Sequence, residues 1–268
     1  MTKRPSAQLP PPILAIDALD ARHEYSVSWI DQLARGTSLG RGVLMAGDHA
    51  EDGGAAKPPA PPRLSVPVSP PVNLLNRVTL KAFNALYFGR APETPKSSIV
   101  PWGSYFHPLD AVRHWNRLYG PRGLFQHQSV YPAETGRETT IRLLECAQRH
   151  GAASFLTVLK RFGDVPSPGL ISFPRPGFTL TLDFANSGPA TLAMLDALDE
   201  IVLLAGGAIN PYKDQRMSAE MFDSSFPNWR ALEAQRDPAL MSDFWRRTAM
   251  RLDRSDHATA PATGAAVC

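Results

Sequence analysis

Cysteine is scarce in this 268-residue chain: Cys146 and Cys268 are the only two. One of them is the last residue, so neither a disulfide framework nor a CxxC-type zinc site can be assembled, and a reducing, cytoplasmic setting is the expectation. Charge of one sign is scarce too. Lys and Arg number 28 against 25 Asp and Glu, a net charge of +3 without a basic run, which argues against the concentrated cationic face that nucleic acid requires. Long apolar runs are missing. The most apolar stretch, Ile201 to Ile209, follows Asp199 and Glu200 and falls short of a membrane span, and no signal-peptide core follows the leader MTKRPSAQLPPP. The chain also lacks GxGxxG, GxxxxGK[ST], HExxH and GxSxG motifs, and Gly36 to Gly42 has the wrong spacing for a dinucleotide turn. No metal site and no cofactor-binding loop is expected from these residues alone.

What is present is enough apolar sequence, 43% of residues, for one large domain or two small ones. Prolines, 26 in all, cluster in two places, Pro10 to Pro12 and the segment from His49 to Pro71, where helix and strand hydrogen bonds would both be interrupted. The expected organisation is a flexible leader over 1–23, a main domain over 24–207 with a Pro-rich loop at 49–71, a further segment over 208–255, and a disordered tail over 256–268. Strands are expected at 25–31, 41–46, 124–131, 154–160, 170–173 and 178–184. Helices are expected at 73–88 (with apolar spacing at Leu75, Val78, Phe83 and Leu86), 108–119, 138–150 before Gly151, 191–204 before Gly206, 218–222 and 238–252. Strand runs mixed with flanking helices indicate an α+β fold, an antiparallel sheet covered on one face.

Two strands carry polar groups in register. In 178–184 Phe178, Leu180, Leu182 and Phe184 point one way, and Thr179, Thr181 and Asp183 the other. In 124–131 Gln126 and Gln128 share a face. Each carboxamide both donates and accepts, and two of them one pleat apart, about 6.6 Å, match neighbouring hydroxyls of a sugar-like ligand; an ordinary solvated strand face is the commoner meaning of such a pattern. Lys213, in AGGAINPYKDQR, reads by composition as part of a solvated turn, and Trp29 as a core aromatic.

Several segments taken together, SYFHPLDAVRHWNRLYGPRGLFQHQSVYP, LKRFG with ISFPRPGFTLTLDF, and AGGAINPYKDQRMSAEMF, resemble the C-terminal half of FAD-linked oxidoreductases of the vanillyl-alcohol oxidase type. The likeness is greatest to the decaprenylphosphoryl-ribose 2'-oxidase branch, with sugar-lactone oxidases more distant, and it spans about 25–252. It implies a flavin-oxidase cap domain, with 208–255 returning to complete an FAD domain that would precede Tyr25, and therefore an exposed apolar patch on the helices of 218–252. FAD is the implied cofactor, one that this chain alone need not bind. A separate FAD-domain polypeptide and a short-chain dehydrogenase are the implied protein partners.

The same resemblance implies roles. Lys213 matches an active-site lysine that contacts both substrate and flavin. Gln126 and Gln128 match paired glutamines facing substrate, Lys160 and Phe162 line the pocket, and Asn116 and Arg117 lie near its mouth. Thr181 stands where the branch has a cysteine and Thr179 where it has an asparagine, so thiol chemistry is lost and the substrate can differ. The implied activity is oxidation of a sugar or polyol hydroxyl by hydride transfer to flavin, with a small-molecule sugar or a polyprenyl-phosphoryl sugar as the implied substrate. The rival reading is a non-catalytic ligand- or protein-binding remnant. A hydrolase built on Asp110 with His107 or His114 is a third, weakened by the lack of a nucleophile motif.

Overall fold

The computed structural model describes residues 2–5, 12–51, 61–62, 64–92, 94–213 and 216–252. In chain order the elements are β1 (Thr2–Pro5), α1 (Pro12–Asp20), β2 (Tyr25–Ile30), β3 (Gly42–Gly47), β4 (Leu64–Ser65), α2 (Arg77–Gly89), α3 (Trp102–Phe106) and β5 (Val112–Arg113). The second half contributes β6 (Leu124–Tyr131), α4 (Gly136–Arg149), β7 (Ser154–Phe162), β8 (Gly177–Ala185), α5 (Pro189–Leu204), β9 (Ala208–Ile209), α6 (Ala219–Ser225), α7 (Trp229–Glu233) and α8 (Asp243–Arg247). Seven strands form one antiparallel sheet in the order β1-β3-β2-β7-β8-β6-β9, and β4 with β5 makes a separate parallel pair. The α+β expectation therefore holds.

Alternation in β8 creates two unlike faces. Phe178, Leu180, Leu182 and Phe184 are paired across β6 with Tyr131, Ser129, His127 and Phe125, so all eight lie on one side. That side is the main core, where Leu143, Leu144 and Ala147 of α4 and Leu195, Leu198 and Val202 of α5 pack. Burying each large apolar side chain there contributes roughly 1.5–3 kcal/mol. Local chemistry agrees with packing: Glu138 and Arg149 complement the dipole of α4, Pro189 opens α5, and Gly151 and Gly206, at φ of 72° and 69°, end these helices in the left-handed region.

The opposite face is covered only in part. At the β2 end, Trp29 meets Tyr87 of α2 edge-on at 4.7 Å, and Phe83 packs on Phe155 at 5.3 Å. Asn84, buried on the same helix, donates to Asp31 Oδ1 at 2.7 Å. At the β9 end, Phe173 packs edge-on against Phe162 at 6.1 Å, beside Val130 and Ala208. Between these two covers lies a polar strip of β6 and β8.

Five expectations need correction. The leader holds ordered elements: β1 pairs with β3, and Ile13, Ile16 and Leu19 of α1 are buried in the main core, because an amphipathic helix gains more by burial than its flanking prolines remove. Residues 108–119 form two 3-10 turns around the two-residue β5, since His114 at φ 58° breaks any continuous helix. Residues 170–173 form no strand; Phe173 is buried from an irregular segment. In α2 the buried side chains are Leu80 and Asn84; of the apolar spacing, Leu75 is buried and Phe83 packs on Phe155, while Val78 and Leu86 are 79% and 62% exposed, so the spacing does not mark a single inward face.

The fifth concerns the end of the chain. Met217, Met221, Phe222, Phe226, Trp229 and Trp245 are buried in the main core, and β9 is paired with β6. Among the described residues of 218–252, Leu240 is the one large hydrophobic side chain left exposed, so the expected apolar patch is not there. The expected helix over 238–252 is interrupted, with α8 covering only its middle. Residues 52–60 and 63 of the Pro-rich loop, and the tail from 256 onward, lie outside the described residues.

Candidate functional site

The polar strip centres on Asp183. Its side chain, at 0% exposure, sits on β8 beside a β-bulge in β7 that offsets Ser154 from Thr157. Ser154 Oγ fills the gap, accepting from the Asp183 backbone N–H at 3.0 Å and donating to Leu156 O at 2.9 Å. Asp183 Oδ1 accepts from Gln126 Nε2 at 2.6 Å, whereas Oδ2 has no partner among the described residues. Burial pushes the Asp183 pKa up to about 7, while the hydrogen bond from Gln126 and the positive charge of Lys213 pull it down. The buried hydroxyl of Tyr119 is also without a partner, and its pKa is raised by burial first and then by the Asp183 charge.

Gln128, one pleat along β6, donates to Thr179 Oγ1 at 3.3 Å and accepts from Asn210 Nδ2 at 2.8 Å. Asn210 opens the turn that carries Lys213: the Lys213 backbone N–H donates to Asn210 O at 3.2 Å, and the Asn210 N–H donates to the Gln128 carbonyl at 2.8 Å. On the far side, Arg216 bridges Asp196 and Asp199 of α5, and Asp199 accepts from His127 at 3.0 Å. Lys213, itself exposed, therefore rides on a segment fastened to β6 before it and to α5 after it. Lys213 and Gln126 border one small hollow of about 10 Å³, room for a single water.

The remaining expected residues divide. Thr181 is paired with Gln128 and half-buried on the strip; Thr179 is buried beneath it. Lys160, opposite Thr179 on β7, is exposed, yet partial desolvation holds its pKa below the ordinary lysine value. Phe162 is on the same face but packed on Phe173. Arg117 does not join the strip: its guanidinium donates to Val66 O and Pro67 O, at 2.9 and 2.6 Å, and tethers the Pro-rich segment, with Asn116 exposed beside it. Trp29 is a core residue. No ion pair among the described residues joins Asp110 to His107 or His114. Nor do the described residues contain a group of three or more His, Cys, Asp or Glu able to hold a metal.

Two residues that organise this strip were given no role from sequence: Asp183, placed only on the polar face of its strand, and Asn210. Signals for both exist. Asp183 is the lone charge in a strand of alternating Phe, Leu and Thr, and Asn210 precedes Pro211 as an Asx turn does; its Oδ1 accepts from Tyr212 N at 3.0 Å.

A roomier hollow of about 350 Å³ lies elsewhere, between His23, Asp48 and the aromatic rings of Tyr25, Tyr105 and Phe106. No helix among the described residues is long and apolar enough to cross a membrane.

No family model matches the chain. Against curated proteins, it is 32% identical over 244 residues to decaprenylphosphoryl-beta-D-ribose oxidase of Mycolicibacterium smegmatis, covering 86% of this chain and 52% of that protein. It is 33% identical over 251 residues to an uncharacterized protein in the mprA 5'region of Streptomyces coelicolor, covering 85% of this chain and 66% of that one. The chain thus spans between about half and two thirds of the length of these relatives. Over most of its own length, it is related in sequence to an oxidase.

Proposed function

We propose that the polar strip is the substrate-binding face of an FAD-dependent oxidoreductase acting on a sugar or polyol hydroxyl, a polyprenyl-phosphoryl sugar being one candidate. One observation supports this above the others. The cation of Lys213 acts on Asp183, which holds Gln126, while the turn bearing Lys213 is hydrogen-bonded through Asn210 to Gln128. Lysine, two carboxamides and a buried carboxyl group gathered beside one strip are the groups that recognise hydroxyls, and they occur in a chain similar to an oxidase named for a ribose derivative.

The residues fit the ring end of a flavin and not its phosphates. An exposed ammonium next to hydroxyl-binding amides suits the meeting point of an isoalloxazine and a carbohydrate, but the described residues form no glycine-rich cradle of N–H groups. In this reading, the phosphates are held by protein beyond these residues, on the same or a separate polypeptide. Bound flavin would supply the hydride acceptor. Lys213 holds the reacting oxygen by a charge-assisted hydrogen bond and favours negative charge near it. Gln126 and Gln128 orient neighbouring hydroxyls, with the half-buried Thr181 paired beside Gln128. Asp183, enclosed and behind Gln126, positions without touching substrate.

A second reading, a ligand-binding module without flavin, draws on the packing of 208–252, where Tyr212 and Leu240 are the only large apolar side chains exposed among the described residues. Purified chain titrated with FAD and with D-ribose 5-phosphate separates the two. Flavin absorption near ~450 nm with saturable sugar binding supports the oxidoreductase; sugar binding by a colourless, FAD-indifferent protein supports the module. Gln126→Ala and Gln128→Ala are each expected to weaken the sugar about tenfold, and Asn116→Ala to leave it unchanged. Equal binding by all four proteins refutes the strip as the site.

A further inference from the structure

The two glutamines are held with opposite ends outward. A carboxamide's oxygen and nitrogen are assigned by the hydrogen-bond network around them, and here the network has fixed starting points. The backbone N–H of Tyr212 can only donate, so the Asn210 side-chain atom that meets it at 3.0 Å is the oxygen. Asn210 Nδ2 must then be the atom facing Gln128, 2.8 Å away, which makes the Gln128 atom an oxygen and its other terminus the donor toward Thr179. Gln126 is fixed from the other side. Above pH ~7 Asp183 is ionised and its oxygens can only accept, so the Gln126 atom 2.6 Å from Oδ1 is Nε2. Gln126 Oε1 has no hydrogen bond to any described residue, and Gln128 Nε2 retains one N–H after serving Thr179.

We propose that Asn210 and Asp183 are positioning residues that set an acceptor-then-donor code along β6, Gln126 offering its carbonyl and Gln128 an N–H. Neither touches the ligand. The code defines the class of ligand: at Gln126 an oxygen that carries a hydrogen, and one pleat along, at Gln128, an oxygen that accepts, either hydroxyl or carbonyl. A vicinal diol satisfies both, as does an α-hydroxy ketone placed with its carbonyl at Gln128. The reversed ketone would set carbonyl against carbonyl at Gln126. Asn210 has a second effect through the same side chain and its backbone, since the turn that begins with it carries Lys213.

The ligand part rests on the substrate-face reading, whereas the polarity part does not, and the experiment keeps them apart. Asn210→Asp is nearly isosteric and can still accept from the Tyr212 N–H, so the turn is retained. It removes the donor facing Gln128 and puts a carboxylate there, and the Gln128 carboxamide is expected to turn over and donate to it. In full-length ¹⁵N-labelled protein, the Gln128 carboxamide proton resonances should move downfield, with the backbone spectrum elsewhere unchanged. Affinity for D-ribose 5-phosphate, followed in the same samples, should fall about tenfold. Unmoved carboxamide resonances overturn the polarity assignment. Moved resonances with undiminished affinity overturn the ligand code. If the unsubstituted protein does not bind the sugar, the substrate-face reading fails while the carboxamide resonances still decide the polarity. Should Asn210→Asp not fold, Gln128→Glu decides the point: the Asn210 carboxamide protons move downfield against the new carboxylate if Asn210 donates to position 128, and staying put overturns the proposal.

Discussion

Asp183 carries the clearest consequence at the scale of one residue. Its pKa in the folded protein, about 7, lies above the ordinary carboxylate value of 3.8 because burial disfavours the charge more than Gln126 and Lys213 favour it. Between those two values the folded state holds a proton that the unfolded chain has released. This group's contribution to stability is therefore complete below about pH 4, is lost as pH rises from ~4 to ~7, and stays lost above. Asp183→Asn, with its amide oxygen toward Gln126, should flatten that slope and raise stability at pH 8 by about 1–3 kcal/mol, with little change at pH 4, measured by urea unfolding at the two pH values. An unchanged slope would mean that the carboxyl group is not buried as described. Removing the cation alone, Lys213→Met, should raise the Asp183 pKa further, visible in the carboxyl ¹³C titration; a pKa left in place would separate Lys213 from the strip.

At the scale of elements, the sequence was most legible where period and punctuation coincide. The β8 alternation named the core face and the polar face residue by residue, and Gly151 and Gly206 marked the ends of α4 and α5, because these signals are local. Tertiary context carried the rest. In α2 the apolar residues Val78 and Leu86 face outward, and Asn84 is drawn inward by Asp31, a partner 53 residues away. The bulge at Ser154 that shapes the site is invisible in SFLTVLKRF, which reads as an unbroken strand. Asn210 escaped notice, and Asp183 was placed on the polar face without a role, for a related reason: their importance lies in which amide each holds, a matter of strand pairing. The α1 helix is a further case, a proline-flanked segment whose Ile16 is at 0% exposure in the main core. Ile16→Ala should lower stability by about 2–4 kcal/mol, read from the midpoint of chemical unfolding. A change under ~0.5 kcal/mol would return this segment to the status of a loose leader.

For the whole molecule, the question is whether residues 208–252 form one cooperative unit with the sheet. The described packing says they do. Phe222, Trp229 and Trp245 meet with ring centroids 5.6 to 6.5 Å apart, within the core that holds Leu180 and Leu198, and β9 extends the sheet from β6. Both indoles are also satisfied, Trp229 Nε1 donating to Asp223 at 2.6 Å and Trp245 Nε1 to Glu233 at 2.5 Å, so the cluster is fixed in orientation as well as buried. The same unit supports the site, because the turn bearing Asn210 and Lys213 runs from β9 toward α6. Trp229→Ala should therefore cost about 3–5 kcal/mol and shift the far-ultraviolet transition of the sheet and helices together with the near-ultraviolet transition of the aromatic cluster. It should also weaken sugar binding at temperatures where the chain is still mostly folded, since the turn loses one of its supports. Two separated transitions, with the sheet's midpoint unmoved, would instead make 208–252 an independent layer resting on a self-sufficient domain. Lys213 would then be positioned by whatever else that layer packs against.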